Sequence, residues 1–234
     1  MADLEAVDKR LSKVQRAAKG NDKDAKAELA VLEKIKPVLE AGGAVRTIEF
    51  DEEEQKIVKG LFLLTSKPVL YVANIAEDDM ADPEASEYFQ QIKEYAAKEN
   101  AEAIAVAAEA EEEIAELDDA DKADFLAAEG GVEEPGLNRL IRASYKLLGL
   151  QTFFTAGGKE TKAWTFKAGT KAPQAAGIIH SDFERGFIRA EVMSFTDLDE
   201  LETPSAVKEA GKLRSEGKEY VMQDGDIVEF RFNV

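Results

Sequence analysis

Pro68-Val69-Leu70-Tyr71-Val72-Ala73-Asn74-Ile75-Ala76-Glu77 sets five apolar residues in a row, Val69 to Ala73, against a polar Asn-x-x-Glu. An unalternated β-branched and aromatic run of this length reads as a strand buried on both faces, as in a parallel sheet. The polar residues then fall at the strand's carboxyl end, where open α/β sheets place their ligands. A core strand followed by a capped loop would give the same pattern, so this stretch alone leaves both readings open.

Working outward, the chain resolves into a βαβ series. Asp82 and Pro83 mark a helix start. Tyr88, Phe89, Ile92, Tyr95 and Ala96 form its inward stripe, and Ala101 to Ala108 reads as a second parallel strand. Helices over Glu109 to about Leu117, Asp121–Ala128 and Pro135–Leu148 follow, the last with Leu137, Leu140, Ile141, Tyr145 and Leu148 on its buried side. Strand, helix, strand, helix implies a right-handed crossover.

Upstream, Leu4, Val7, Leu11 and Val14, then Leu29, Leu32, Ile35 and Leu39, step by three and four. These are two amphipathic helices, broken at Gly20-Asn21-Asp22 with Asn21 or Asp22 as cap, and they predict an antiparallel hairpin or arm. Pro37 is expected to kink or shorten the second helix. Val45 to Phe50 reads as a short extended piece. Asp51 to Glu54 loads the start of a third helix with negative charge, and Pro68 should end that helix near Thr65.

At about Leu150 the character changes. Thr152–Thr155 and Thr161–Phe166 read as a hairpin around Gly157-Gly158. A short helix near Gln174–Ala176, a strand over Phe187–Phe195 and a helix over Ser205–Ser215 follow. Tyr220–Met222, the Asp224-Gly225-Asp226 turn and Ile227–Phe232 suggest a closing hairpin. The expected fold class is α/β plus α+β. It comprises a helical arm (1–64), part of a parallel-sheet nucleotide-binding domain (65–149) and a four- or five-stranded β-grasp domain (150–234).

The chain has 234 residues, no cysteine and a formal net charge of −18. No cysteine means no disulfide, no thiolate metal site and no cysteine nucleophile, which fits a cytosolic setting. No apolar run approaches the roughly 18 residues of a membrane helix, and Met1–Glu5 lacks a signal peptide's order. A soluble cytoplasmic protein with no membrane partner is the expectation. The strong negative charge argues against broad backbone-driven nucleic-acid binding. Its distribution is uneven, however. From Ala101 to Glu134 there are 13 acidic residues against Lys122 alone. From Lys159 to Arg189 six basic residues face three acids. Lys159, Lys162, Lys171, Arg185 and Arg189 are thus candidate contacts to RNA or the ribosome, although a modestly basic surface is more often simply solvated.

Several runs carry a family resemblance. Phe153-Phe154-Thr155-Ala156-Gly157-x-Lys159-Glu160-x-x-Ala163-Trp164-Thr165 looks like the start of a TGS domain. Ala172-Pro173-Gln174-Ala175-Ala176-Gly177-x-Ile179-His180-x-Asp182-Phe183-Glu184-x-Gly186-Phe187-Ile188-Arg189-Ala190 continues the likeness, and Asp224-Gly225-Asp226 to Phe232-Asn233-Val234 closes it. With the helical arm, Ser66-Lys67-Pro68, Asn74-x-x-Glu77 and Glu134-Pro135-Gly136-Leu137-Asn138, essentially the whole chain resembles the YchF subfamily of Obg-related P-loop NTPases. In that family the arm is inserted into a nucleotide-binding domain, and Asn74-Ile75-Ala76-Glu77 falls where guanine-specific relatives carry Asn-Lys-x-Asp. Guanine presents N1–H and its N2 amino group, two donors that one aspartate accepts together. Adenine sets a donor at N6 beside an acceptor at N1, so a carboxylate fits only half of it. Ile75 and Glu77 disrupt the guanine clamp, and the resemblance implies a preference for ATP. Asn74 would meet the purine edge and Ile75 the ring face, with Glu77 either a base-side residue or only a turn cap; Ala107 and Ala108 map to the base-side loop.

No Gly-x-x-x-x-Gly-Lys-Ser/Thr occurs. Gly157-Gly158-Lys159 is followed by Glu160 and has Phe153 in place of the first glycine. The expectation is that the family's phosphate- and magnesium-holding half lies upstream of Met1. This chain alone would then not hydrolyse ATP, the adenine nucleotide that the resemblance implies for the whole protein. A non-enzymatic ribosome- or RNA-binding module working through the arm and TGS domain is the alternative, and exposed strand edges near Val69–Ala73 suggest a dimer. His180, the only histidine, reads as a turn residue. The acidic run from Glu109 reads as a solvated face rather than a metal site, and Trp164 and Phe166 read as core rather than as a base-stacking surface.

Overall fold

The computed structural model describes residues 1–20, 22–128, 132, 134–156 and 160–233. It forms two compact units, Met1–Ile141 and Arg142–Val234. No helix among the described residues is long and apolar enough to cross a membrane.

In the first unit α1 (Ala2–Ala18) and α2 (Lys23–Glu40) form the expected helical pair. Asp22 caps α2 by accepting from the N–H groups of Asp24 and Ala25. Val7, Val31, Leu32, Ile35 and Val45 are fully buried between the helices and the segment that follows. Each such side chain contributes about 1.5–3 kcal/mol by leaving water. Pro37 does not stop α2, which runs one turn further to Glu40. Val45–Thr47 is a 3-10 turn rather than an extended piece. Thr47 Oγ1 closes that turn onto the Ala44 carbonyl at 2.8 Å.

Helix α3 (Glu52–Leu61) starts with a capping box between Asp51 and Glu54. It ends at Leu61, before the Thr65 suggested by Pro68, and Phe62 takes the left-handed conformation at φ 53°. The cause is Asp3, whose carboxylate accepts from Leu64 N (2.9 Å), Thr65 N (2.7 Å) and Thr65 Oγ1 (2.7 Å). Those two N–H groups cannot also serve a helix. Burial opposes the Asp3 charge, but the hydrogen bonds from Thr65 and Leu64 outweigh it and hold the carboxyl below its ordinary value.

Strands β1 (Leu70–Asn74) and β2 (Glu102–Val106) pair in parallel, with Asn74 opposite Val106. Helix α4 (Glu87–Lys98) makes the crossover. It starts after a 3-10 turn at Pro83–Ala85, and Asp82 makes no side-chain cap. Ala73, Phe89 and Ala105 form the core of this layer. Strand β1 is not buried on both faces: Val72 is 49% exposed, and β2 is its one strand neighbour among the described residues. Tyr88 and Tyr95 also point outward from α4. Tyr71, Tyr95 and Arg46 converge on Glu99, with Arg46 Nη2 at 2.6 Å and Tyr71 O–H at 2.7 Å, so that Arg46 fastens the helical layer to the sheet. The Arg46 and Tyr71 hydrogen bonds lower the Glu99 carboxyl.

Helices α5 (Ala108–Glu116), α6 (Asp119–Ala128) and α7 (Gly136–Leu148) follow. The apolar stripe expected to bury α7 faces out, with Leu137, Ile141, Tyr145 and Leu148 all exposed. Gly136 and Ala143 lie on the inward side instead.

The second unit is a five-stranded mixed sheet in the order β4-β3-β7-β5-β6. Its strands are β3 (Leu150–Ala156), β4 (Thr161–Lys167), β5 (Phe187–Ser194), β6 (Arg214–Glu216) and β7 (Asp226–Phe232). Helices α8 (Ala172–Ile179), α9 (Ser181–Arg185), α10 (Phe195–Leu201) and α11 (Pro204–Glu209) complete it. Phe153, Phe166, Ala172, Ala175, Ala176, Val192, Met222 and Val228 belong to one core. The expected hairpin of β3 with β4 is present; its Gly157-Gly158 turn lies outside the described residues. The closing hairpin is not formed. Tyr220–Met222 bonds to Thr170–Ala172 instead (Ala172 N to Tyr220 O 2.9 Å, Met222 N to Thr170 O 3.0 Å), and β7 enters the middle of the sheet. Gly225, at φ 80°, makes the entry turn, its N–H donating to Thr152 O at 2.8 Å. Ser205–Ser215 is split, α11 ending at Glu209 and β6 beginning at Arg214.

Replacing Asp3 with alanine should lower the unfolding free energy by about 2–3 kcal/mol at neutral pH, since it strands two part-buried N–H groups. The sign for acid follows from the lowered carboxyls. The contributions of Asp3 and Glu99 are complete above the ordinary 3.8 and 4.5 and are lost as pH falls through the lower folded values. Urea unfolding of wild type and Asp3→Asn from pH 7 to pH 3 checks this; identical pH slopes for the two would refute it.

Candidate nucleotide-base site

The parallel register brings the carboxyl ends of β1 and β2 to one place. Ile75 N donates to Val106 O at 3.0 Å, and the chain then turns at Ala107 into α5. Ala107 supplies no side-chain cap, so the first amide of α5 needs an acceptor from elsewhere. Asn74 provides it: Ala108 N–H donates to Asn74 Oδ1 at 3.0 Å. The structure therefore joins three of the sequence-predicted base-site residues, Asn74, Ala107 and Ala108. With Oδ1 so engaged, the Asn74 amide presents its Nδ2 donors outward, and they meet no acceptor among the described residues. An outward donor at the end of a parallel sheet matches a ring-nitrogen acceptor such as purine N7.

Ile75 is placed differently from a ring contact. It is half-buried and packs between two small cores, Ala73–Phe89–Ala105 and Met80–Ala107–Ala110. Glu77 opens a 3-10 turn, Glu77–Asp79, with Met80 N donating to the Glu77 carbonyl at 2.9 Å, and its side chain is half-buried.

Sequence reasoning passed over two residues here. Glu111, on α5, accepts from Gly136 N (2.5 Å) and Leu137 N (3.1 Å). Arg139 Nη2 donates to the Ala105 carbonyl at 3.1 Å. Gly136 is closely approached: a Cβ there would lie 3.0 Å from Glu111 Oε1 and 3.2 Å from Val106 Cγ1, and those side chains would have to give way slightly. The acidic run hid Glu111 among similar neighbours. Among the described residues no group of three His, Cys, Asp or Glu side chains is placed to hold a metal.

Four of the five candidate ribosome contacts are described, each with a partner of its own. Lys159 lies outside the described residues. Lys162 Nζ sits 4.2 Å above the Trp164 ring. Lys171 pairs with Glu219 at 2.5 Å, Arg185 with Asp182, and Arg189 with Glu191 at 2.9 Å. Lys162 shares its strand face with buried Phe166, whereas Arg189 lies opposite the face of buried Ala190. His180 is a cap, Nδ1 accepting from Asp182 N at 3.2 Å. Phe166 is core, and Trp164 packs against it while donating Nε1–H to Thr155 Oγ1 at 3.0 Å. A separate groove of about 580 Å³ opens between α1, α2 and α3, walled in part by the Arg10–Glu28 ion pair and away from the strand ends.

Residues 150–233 match the family YchF-GTPase_C, described as a protein of unknown function, DUF933. The whole chain is 57% identical to the ribosome-binding ATPase YchF of Bacillus subtilis, covering 64% of that protein. It is 51% identical to the protein of the same name from Haemophilus influenzae, covering 63%. The chain thus spans less than two thirds of these relatives. In structure it resembles the YchF GTPase of Schizosaccharomyces pombe, with a TM-score of 0.87 at 32% identity over 98% of this chain and 62% of that one. A GTP-binding protein from Pyrococcus horikoshii shares the fold at a TM-score of 0.50 and 18% identity.

Two substitutions at Asn74 separate its acceptor from its donor. Asn74→Ala should cost about 1 kcal/mol, as loss of a helix cap does. Asn74→Asp keeps the acceptor and places a negative charge at the start of α5, so stability should stay within about 0.5 kcal/mol of wild type. Urea denaturation decides it, and equal losses for both variants would overturn the assignment of Oδ1.

Proposed function

The chain belongs to the YchF family, and from that premise we propose that residues 65–149 carry the base-reading end of a purine-nucleotide pocket in a ribosome-associated cytoplasmic ATPase. The observation that carries this reading is Ala108 N–H held by Asn74 Oδ1 at the joint end of two parallel strands. It leaves Asn74 Nδ2 to donate to a purine ring nitrogen. Glu77 in place of aspartate and Ile75 in place of lysine remove the pairing that favours guanine. We therefore assign ATP over GTP as the preferred nucleotide.

The residues present fit the base end of ATP. The phosphates and magnesium call for a Gly-x-x-x-x-Gly-Lys-Ser/Thr cradle that the 234 residues do not contain, so hydrolysis is not assigned to this chain by itself. What its own residues supply is orientation: a fixed amide donor, a backbone turn at Ala107–Ala108 and an apolar wall. The helical arm (1–64) and a TGS β-grasp domain (150–234) would furnish the ribosome contact, the second reading of this chain. The relatives' names favour it; the ion-paired state of Lys171, Arg185 and Arg189 limits how strongly those side chains can serve it.

Titrating the isotope-labelled chain with adenosine and with guanosine tests the first reading. The Asn74 side-chain amide resonances should move with adenosine and move less with guanosine, and the accompanying shift of the Ala108 backbone amide, which both proteins possess, should be lost in Asn74→Asp. No response to either nucleoside would refute the base site. Ribosome co-sedimentation at rising salt tests the second. Binding at low salt should weaken as salt rises, and the triple change Lys162→Glu, Lys171→Glu, Arg189→Glu should weaken it further. An unaltered salt profile for the triple variant would exclude these side chains as the contact.

A further inference from the structure

We infer that Glu111, seconded by Arg139, is a positioning residue that fixes the donor direction of Asn74 by gripping the base-side loop from behind. The loop from Ala105 to Glu111 is held at several points. At its start, Arg139 Nη2 takes the Ala105 carbonyl at 3.1 Å. At its tip, Ala108 N–H meets Asn74 Oδ1 at 3.0 Å. At its end, the Glu111 backbone N–H closes the first turn of α5 onto the Ala107 carbonyl at 3.0 Å, while the Glu111 carboxylate takes the first two amides of α7. Glu111 therefore belongs to both sides of the joint, its main chain to the loop and its side chain to α7.

Gly136 brings the start of α7 directly against this joint, a Cβ there falling 3.0 Å from Glu111 Oε1 and 3.2 Å from Val106 Cγ1. An isolated first turn of α5 would fray, since Ala107 gives it no side-chain cap and Ala108 begins it with an unserved amide. Fraying would release Asn74 Oδ1, and the amide could then rotate to present oxygen outward instead of nitrogen. Donor and acceptor edges would exchange, and with them the match to a purine ring nitrogen. Arg139 has its Nε buried without a partner among the described residues, so its place is set by the single Nη2 bond and by packing.

This inference rests on the base-site reading for its purpose, but its test contains no nucleotide. Amide hydrogen exchange is measured on the full chain in wild type, Glu111→Ala and Glu111→Gln, with Ile104 in β2 and Val228 in β7 as references. In Glu111→Ala, exchange at Gly136, Leu137 and Ala108 should rise on the order of tenfold relative to Ile104. In Glu111→Gln, which keeps one carbonyl acceptor, the rise should be smaller. The response of Ala108 is diagnostic, because it bonds to Asn74 and not to Glu111. Ala108 exchange that is unchanged, or that moves only in step with Ile104 as general loosening would, overturns the proposal. Should Glu111→Ala fail to fold, Glu111→Gln and Glu111→Asp carry the same comparison. The adenosine titration then separates the two claims: a silent Asn74 amide in wild type sinks the base site and leaves the exchange result standing.

Discussion

Parallel pairing imposes a debt at one end of a sheet. When β1 and β2 run the same way, both finish at the same edge, and the helix that follows β2 begins there with amides that have no acceptor in its own backbone. In this protein the first of those amides, Ala108 N–H, is met by a side chain from the neighbouring strand. That one bond links strand register to loop position, since Asn74 reaches Ala108 only while Asn74 stands opposite Val106. A one-residue slip would turn Asn74 to the other face and leave α5 uncapped. The geometry of the candidate site is thus a consequence of how the sheet is paired.

Much of this was legible from the residues. The unalternated run to Ala73, the apolar run before Ala108 and the helical spacing between them gave the βαβ unit, and the placement of Asn74 at the strand end followed. The predicted inward stripes of α1 and α2 are buried or half-buried, but for other elements the sequence pointed to the wrong face. Helix α7 is the clearest case. Leu137, Ile141, Tyr145 and Leu148 make the more apolar stripe, yet α7 turns Gly136 and Ala143 inward. Close approach and hydrogen bonding at its first turn, to Val106 and Glu111, outweighed hydrophobicity. The end of α3 tells the same story, because Asp3 lies about sixty residues away in sequence and no local pattern announces that it will claim the amides of Leu64 and Thr65.

The second unit shows how a buried charge redirects a segment. Asp226 is 2% exposed and accepts from Tyr220 O–H (2.8 Å), Gln223 N (2.9 Å) and Arg214 Nη2 (3.2 Å). A buried carboxylate requires such partners, and serving it curls Tyr220–Gln223 around the head of β7 rather than alongside it. Burial, together with the Asp226 bond, pushes the Tyr220 phenol up to about 12. A raised phenol favours the folded state fully below its ordinary 10 and ceases to do so as pH rises through 12, so the cluster stays intact across the physiological range. Local charge pairing likewise meets part of the positive excess read from Lys159 to Arg189. Lys171, Arg185 and Arg189 are each answered by a carboxylate, and the Arg189–Glu191–Arg231–Glu229 ladder continues that pattern across two strands.

Selectivity at the base site can be argued from what each residue is free to do. Ile75 is committed to two cores, so its contribution to a bound ring is restricted to the part of its side chain left outside them. Glu77 opens a turn whose backbone closes on Met80, which sets its carboxylate one carbon longer than the aspartate that guanine recognition uses. In the proposed site an acceptor moved by that distance would no longer meet N1–H and N2 together. Asn74 is then the one group whose direction is fixed by the fold itself. In the proposed site a donor fixed this way would read N7, which adenine and guanine share, so Asn74 would supply purine recognition and its altered neighbours the proposed preference. On that proposal the task is divided between a rigid amide and a displaced carboxylate, and exchanging Asn-Lys-x-Asp for Asn-Ile-x-Glu would shift the base choice while the strand-end geometry stays the same.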